Sequence, residues 1–206
     1  MAKVHSTLSP SVQILQFPTS SYSSYVSRER EVFTICMKSL VLNSSGCAVY
    51  NSKGALVYRV DNYNCRWSGK VYLMDVRGKV LIELLKKSLL FAKWEGYRWN
   101  DTEIEANSWF KMKRACTIFK RETPFCKFWS DTGCLMNYKI DGFYNKSSCK
   151  ILDTSSGLVV AEVKRKVTKS GIILGDDVLT LEVEPNIDHS LIMGLVLVYS
   201  LMNRSI

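Results

Sequence analysis

Three stretches of the chain share one pattern of apolar and polar positions: a strand, a polar turn closed by glycine, and a second strand. They run from Cys47 to Val60 around Gly54, from Val71 to Leu84 around Gly78, and from Cys149 to Val163 around Gly157. Counted from the glycine, the second, fourth and sixth residues are Leu56, Tyr58 and Val60; Val80, Ile82 and Leu84; and Val159, Ala161 and Val163. The fifth is charged each time: Arg59, Glu83 and Glu162. Side chains alternate across a strand, so the apolar set is expected on one face and the charge on the other. Asn51, Asp75 and Asp153 open the turns with a side chain able to bond the backbone just ahead, and the closing glycine supplies positive φ. The chain is therefore expected to be largely antiparallel and built from successive hairpins.

Further strands follow the same alternation. They are expected over Val32 to Met37, Trp109 to Cys116, Tyr138 to Ile140 ahead of Asp141-Gly142, and Val178 to Val183 ahead of Pro185. Leu81, Leu84, Leu85 and Leu89 also match helical spacing. The hairpin before them favours strand to about Leu85, with a turn or short helix from Lys87 to Leu90. Residues 1–27 are rich in Ser, Thr and Pro with few apolar positions, and read as a loosely held arm before a single domain over 28–206.

The last apolar segment differs from all of these. Asp188 is placed to cap a helix, and Leu191 to Met202 is apolar on every side, with Asn203-Arg204 closing it. A bilayer span takes roughly 20 apolar residues, and this stretch has twelve positions, Gly194 and Ser200 among them. A helix apolar all round and this short belongs in a protein core. About sixteen helical residues rise on the order of 24 Å, close to a seven-residue strand at roughly 3.3 Å per residue. A helix over about 188–203 thus fits inside a barrel too wide for side chains alone to fill.

Charge and candidate chemistry narrow the function classes. The formal net charge is +9, which favours phosphate-bearing partners without choosing among them. Two basic clusters carry the best lead: Lys111, Lys113 and Arg114, and Lys164, Arg165, Lys166 and Lys169. Lys111 and Lys113 share a strand face, as do Lys164 and Lys166, so each pair can present two cations to anionic phospholipid head groups or to a protein at the membrane surface. The competing account is an ordinary solvated strand face that discourages edge pairing. Nucleic acid ranks lower, since no zinc-finger, helix-turn-helix or RNA-recognition signature is present. Seven scattered cysteines without C-x-x-C read as reduced thiols, several serving as small core residues, and not as a zinc or redox site. With no signal peptide or lipidation motif, the expected location is cytoplasmic, peripheral at a membrane or nuclear, and not secreted. The sequons at Asn43, Asn100, Asn145 and Asn203 are then surface or turn sequences.

Catalytic signals are weak. His5 and His189 are the two histidines, and His189 is expected at the surface or in a capping position. Asp176-Asp177 with Glu182 and Glu184 falls short of the six to eight oxygens calcium wants, so a turn plus a solvated face is expected there. No cofactor, metal or enzymatic activity is expected.

Several motifs in order carry a family resemblance. They include Phe33-Thr34-Ile35-Cys36-Met37-Lys38-Ser39-Leu40, Val57-Tyr58-Arg59-Val60-Asp61-Asn62, Leu73-Met74-Asp75 with Gly78, and Trp94 with Tyr97. Phe110-Lys111-Met112-Lys113-Arg114, Val160-Ala161-Glu162-Val163-Lys164-Arg165-Lys166, and Leu174-Gly175-Asp176-Asp177-Val178-Leu179 follow, and the apolar tail completes the set. In these, residues 30–203 resemble the plant LURP-one-related proteins. The resemblance implies a tubby C-terminal-like fold, β-rich (α+β): a closed antiparallel barrel of about twelve strands around a buried hydrophobic C-terminal helix. It also implies kinship with phospholipid scramblases and with tubby-like proteins, which are tethered to membranes through phosphoinositides. Some family members resemble participants in plant defence. Thr123 to Asn137 departs from the family pattern, and no functional weight is placed on it.

Overall fold

Twelve antiparallel strands close on themselves because the first strand pairs with the last. The computed structural model describes residues 25–37, 46–61, 69–88, 93–99, 103–114, 116–117, 120–121, 123–142, 148–168, 170–175 and 177–204. The strands are β1 (Glu31–Cys36), β2 (Cys47–Asn51), β3 (Leu56–Asp61), β4 (Lys70–Asp75), β5 (Val80–Ser88), β6 (Lys93–Arg98) and β7 (Phe110–Lys113). A separate two-stranded ribbon, β8 (Cys116–Thr117) with β9 (Lys120–Arg121), precedes β10 (Phe125–Trp129). The barrel continues through β11 (Leu135–Asp141), β12 (Ser148–Asp153), β13 (Val159–Arg165) and β14 (Val178–Val183), and ends in the helix α1 (His189–Arg204). Strands adjacent in sequence pair around the whole wall, with β10 joining β7 across the ribbon.

The three repeated turns form as the sequence dictates. The Asn51 side chain accepts from the Lys53 and Ala55 amides, that of Asp75 from Arg77 and Lys79, and that of Asp153 from Ser155. Gly54, Gly78 and Gly157 take φ of 78°, 83° and 72°. The fourth and sixth residues after each glycine point inward and are buried: Tyr58 and Val60, Ile82 and Leu84, Ala161 and Val163.

The second residue does not follow. Leu56 pairs with Tyr50, Val80 with Met74 and Val159 with Leu152, and in each hairpin the register skips one residue: Val57, Leu81 or Val160. This repeated β-bulge carries Leu56 to the outside, where it is 37% exposed. One extra residue per hairpin bends and twists the strand, as a sheet curling into a barrel requires. The charge predicted outside at Glu83 is in outward register opposite Tyr72 and Tyr97, yet it is only 6% exposed, covered and paired to Lys70 at 3.1 Å. Strand β5 runs on to Ser88 with a register shift at Lys87, correcting the turn or short helix expected there; Leu89 and Leu90 lie outside the described residues.

The helix is the barrel's filling. Its residues 190–200 are all buried, with Ile192, Met193, Leu195, Leu197 and Val198 at 0% exposure. They form one apolar cluster with the inward residues of every barrel strand. At 16 residues and with no helix long and apolar enough to cross a membrane among the described residues, α1 has the length of the wall it fills. The Phe110 ring is wedged between helix and wall. A Cβ on Gly96 of β6 would lie 2.1 Å from that ring, and one on Gly194 of α1 would lie 3.3 Å from it. Cys47, Cys126 and Cys149 are free and buried in the core, as expected of small apolar fillers. Burial pushes the Cys149 thiol up to about 12 and that of Cys126 further still.

Candidate functional site

The up-and-down path gives the barrel two unlike ends. The upper rim holds the start of α1, the turns at 51–55, 75–79, 130–134 and 153–158, and residues 103–109. The lower rim holds the end of α1 and the C-terminal ends of β1, β3, β5, β7, β11 and β13. Acids outnumber cations at the described upper rim: Glu29, Glu31, Asp75, Glu103, Glu105, Asp131, Asp153, Glu184 and Asp188 against Arg28, Arg30, Lys53, Arg77, Lys79 and Arg98. The described lower rim is the reverse: Lys86, Lys87, Lys93, Lys113, Arg114, Arg165, Lys166 and Arg204 outnumber Asp61, Asp141 and Asp177.

The structure divides the sequence-predicted cations among different environments. Lys111 and Lys113 are both outward and exposed on β7. Lys111 lies opposite Glu95 and Lys127, in mid-wall, whereas Lys113 sits at the lower rim opposite Lys93. Arg114 donates to Asn203 Oδ1 at 2.8 Å and stands over the Tyr199 ring at 5.9 Å, strapping the end of the helix to the rim. Lys164 faces outward but is occupied: its amine is 2.9 Å from Glu162 and 3.7 Å from Glu182, and the Glu162 hydrogen bond raises its pKa. Arg165 and Lys166 reach the lower rim, where the Lys166 amine donates to Thr34 Oγ1. Lys169 lies outside the described residues. Three strands, β10, β11 and β12, separate β7 from β13, so the clusters form one surface only at the rim.

A cleft of about 840 Å³, unmarked by the sequence reading, opens on the wall near the upper rim. The Arg98 guanidinium lies 3.6 Å from the Trp109 ring centroid and pairs with Asp131 at 2.6 Å and Asp188 at 3.4 Å. Trp109 donates its indole N–H to the Trp129 carbonyl, leaving the Trp129 ring 52% exposed. On the floor, burial pushes the Glu95 carboxyl up, but hydrogen bonds from Tyr97 and Lys93 and the charge of Lys111 hold it below the usual carboxylate range. Trp129 and Asp131 come from the 123–137 stretch given no weight in sequence. The available signal was Ser130-Asp131-Thr132-Gly133, a fourth polar turn closed by glycine, in which Ser130 Oγ caps the Cys134 amide at 3.0 Å and Gly133 has φ 77°. The lining offers stacking and ion pairing, with no paired nucleophile and base.

At the helix start, Asp188 is the cap, its Oδ1 accepting from the Ser190 and Leu191 amides at 2.8 and 3.1 Å. His189, expected at the surface or in a capping position, is the half-buried first residue of the helix, just after the cap. Its Nδ1 and the Tyr58 hydroxyl share a hydrogen bond, and its ring packs against Phe33 at 5.2 Å and edge-on to Tyr25 at 5.8 Å. The last residues of the N-terminal arm are therefore docked, Val26 also bridging Asp188; residues 1–24, His5 included, lie outside the described residues. Burial lowers the His189 pKa against the pull of Asp188 and Glu31, and burial raises that of Tyr58. The neutral imidazole is the folded form. Its contribution is present above the unfolded value near 6.5 and is lost as pH falls through the lowered folded value. Urea midpoints measured from about pH 7 to about pH 5 should fall for the wild type and fall less for His189→Gln; an equal decline in both would remove His189 from the account.

Glu182 and Glu184 are held by Arg30 at 3.5 and 2.6 Å. Asp176 lies outside the described residues, as do the sequons at Asn43, Asn100 and Asn145. Asn203 is engaged through both ends of its amide, accepting from Arg114 and donating to the Tyr199 carbonyl. Among the described residues no three His, Cys, Asp or Glu side chains are grouped to hold a metal.

Comparisons with known proteins agree with the architecture. A profile of the LURP-one-related family matches residues 31–200. The chain is 45% identical over 188 residues to protein LURP-one-related 3 of Arabidopsis thaliana, covering 86% of this chain and 82% of that one. It is 39% identical over 212 residues to protein LURP-one-related 11 of the same plant, covering 98% and 89%. An X-ray structure of a protein from Arabidopsis thaliana superposes with a TM-score of 0.54 at 16% identity, covering 87% of this chain and 95% of that one. That likeness is one of fold.

Proposed function

The chain belongs to the LURP-one-related family, and from that premise we propose that it is a binding module without catalytic chemistry, whose lower rim docks on anionic phospholipid head groups. One observation carries the reading: among the described residues cations outnumber acids at the end where the helix finishes, and acids outnumber cations at the end where it starts. A protein polarised along its axis is oriented by a negatively charged surface before it touches it. Near such a surface each lysine or arginine is worth about 1 kcal/mol, and the attraction falls off within a Debye length. The kinship with scramblases and tubby-like proteins implied by the sequence motifs supports a peripheral membrane role, in which the protein serves as an adaptor at the cytoplasmic leaflet.

Co-sedimentation with vesicles tests this. Binding to phosphatidylserine vesicles and not to phosphatidylcholine vesicles is expected, weakening with salt. Lys113→Gln/Arg165→Gln/Lys166→Gln should lower affinity on the order of 100-fold, three cations at about 1 kcal/mol each. Arg114 is left intact because it also straps the helix. Equal indifference to both vesicle types would contradict the proposal.

A further inference from the structure

The connection from β13 to β14 continues beyond the lower rim as a hydrogen-bonded ribbon. Lys166 N donates to Val178 O at 2.9 Å, Leu174 N to Lys166 O at 3.0 Å, and Thr168 N to Ile172 O at 2.8 Å. Val167 bridges Ile173, and the tip turns at Gly171, φ 84°, with Thr168 Oγ1 capping the Ile172 amide. The hairpin, whose Lys169 lies outside the described residues, holds its apolar side chains out in solvent. Val167 is 49% exposed, Ile172 64%, Ile173 53% and Leu174 49%.

The arrangement has three features that together identify what covers it. The apolar residues are contiguous, so successive side chains place Ile172 and Leu174 on one face of the ribbon and Ile173 with Val167 on the other. Apolar side chains therefore stand on both faces of the ribbon, while Lys166 and Thr168 on the Ile172 face and Ser170 at the tip are polar, the mixture of an element lying in the boundary between head groups and acyl chains. The root of the ribbon carries Arg165 and Lys166 with Asp177 beside them, on the same rim as Lys113 and Arg114, where cations outnumber acids. Charge complementarity selects among apolar occupants: hairpin-to-hairpin contact with a second copy would bring two cationic collars together, which is unfavourable. An anionic bilayer offers the upper acyl chains to Val167, Ile172, Ile173 and Leu174, and its phosphates to the rim cations. A side chain of this size gains by leaving water in proportion to the area it buries.

We infer that the hairpin 166–174 is a wedge that inserts Val167, Ile172, Ile173 and Leu174 into the outer hydrocarbon of an anionic membrane while the basic lower rim contacts its phosphates. This rests on the proposed membrane docking and adds a hydrophobic step to it.

The test uses full-length wild type, the Ile172→Ser/Ile173→Ser variant and the triple Gln variant on phosphatidylserine vesicles at low and high salt. The Ser variant keeps the net charge and removes side chains already exposed, so its unfolding midpoint should match wild type. Its vesicle affinity should drop about tenfold or more, and the salt-resistant part of wild-type binding should vanish. Separately, brominated acyl chains should quench the Ile172→Trp variant more than wild type. Ser-variant binding equal to wild type, with the Gln variant impaired, would overturn insertion and leave surface docking standing. A wild type indifferent to vesicles would overturn both. A wild-type dimer in sedimentation velocity that the Ser variant abolishes, with vesicle binding unchanged, would assign the hairpin to a second copy and overturn the wedge.

Discussion

Leu195→Asp is expected to leave no folded protein. Leu195 is 0% exposed at the middle of a helix whose neighbours Ile192, Val196 and Val198 are buried as deeply. From Leu191 to Val198 the helix carries no polar side chain that could meet a carboxylate. The substitution loses about 2 to 3 kcal/mol of apolar burial and places a carboxylate where an effective penalty of several kcal/mol applies. Together these approach the 5 to 15 kcal/mol of a typical domain. Because the helix fills the barrel, its loss also removes the surface on which every strand packs. Leu195→Ala separates filling from charge: it should fold and lose about 2 to 5 kcal/mol in urea denaturation. A soluble Leu195→Asp protein with wild-type circular dichroism would mean the helix is not the core.

Gly96→Ala should be the most damaging single-methyl addition to the wall. Its Cβ would stand 2.1, 2.5 and 2.7 Å from three carbons of the Phe110 ring. The ring is 1% exposed and cannot retreat, because Gly194 of the helix is against it with hypothetical Cβ contacts of 3.3 and 3.4 Å. Overpacking of this kind costs about 1 to 3 kcal/mol, and more where no neighbour can shift. Gly194→Ala meets the looser contact and gains helix propensity, so its effect should be smaller. Phe110→Leu costs stability alone but should recover part of the Gly96→Ala loss in a double-mutant cycle. Additive losses would show that Gly96 and Phe110 do not compete for space.

Much of this was legible in sequence because it is local. Asn51, Asp75 and Asp153 cap their own turns within four residues, so each hairpin announces itself without its partners. The helix was legible for a similar reason, its length and all-round apolarity being properties of one segment. The bulges at Val57, Leu81 and Val160 were not, because register exists only between two strands and the alternation of one strand is silent about it. His189 was misplaced for the same reason: Tyr25, Phe33 and Tyr58 meet it from three separate elements. Of the predicted cations, spacing correctly gave shared faces for Lys111 and Lys113, but not that Glu162 and Glu182 would occupy Lys164. The polarity of the barrel lies further off still, since it depends on the direction of all twelve strands at once.

That polarity is the centre of the functional account, and hydrogen–deuterium exchange on phosphatidylserine vesicles tests it most directly. Binding should slow exchange in lower-rim peptides, above all 166–177 and 113–124, and leave the upper-rim turns at 51–55, 75–79, 130–134 and 153–158 unchanged. Protection at the upper rim, or none at either end under conditions where the protein sediments with the vesicles, would contradict it.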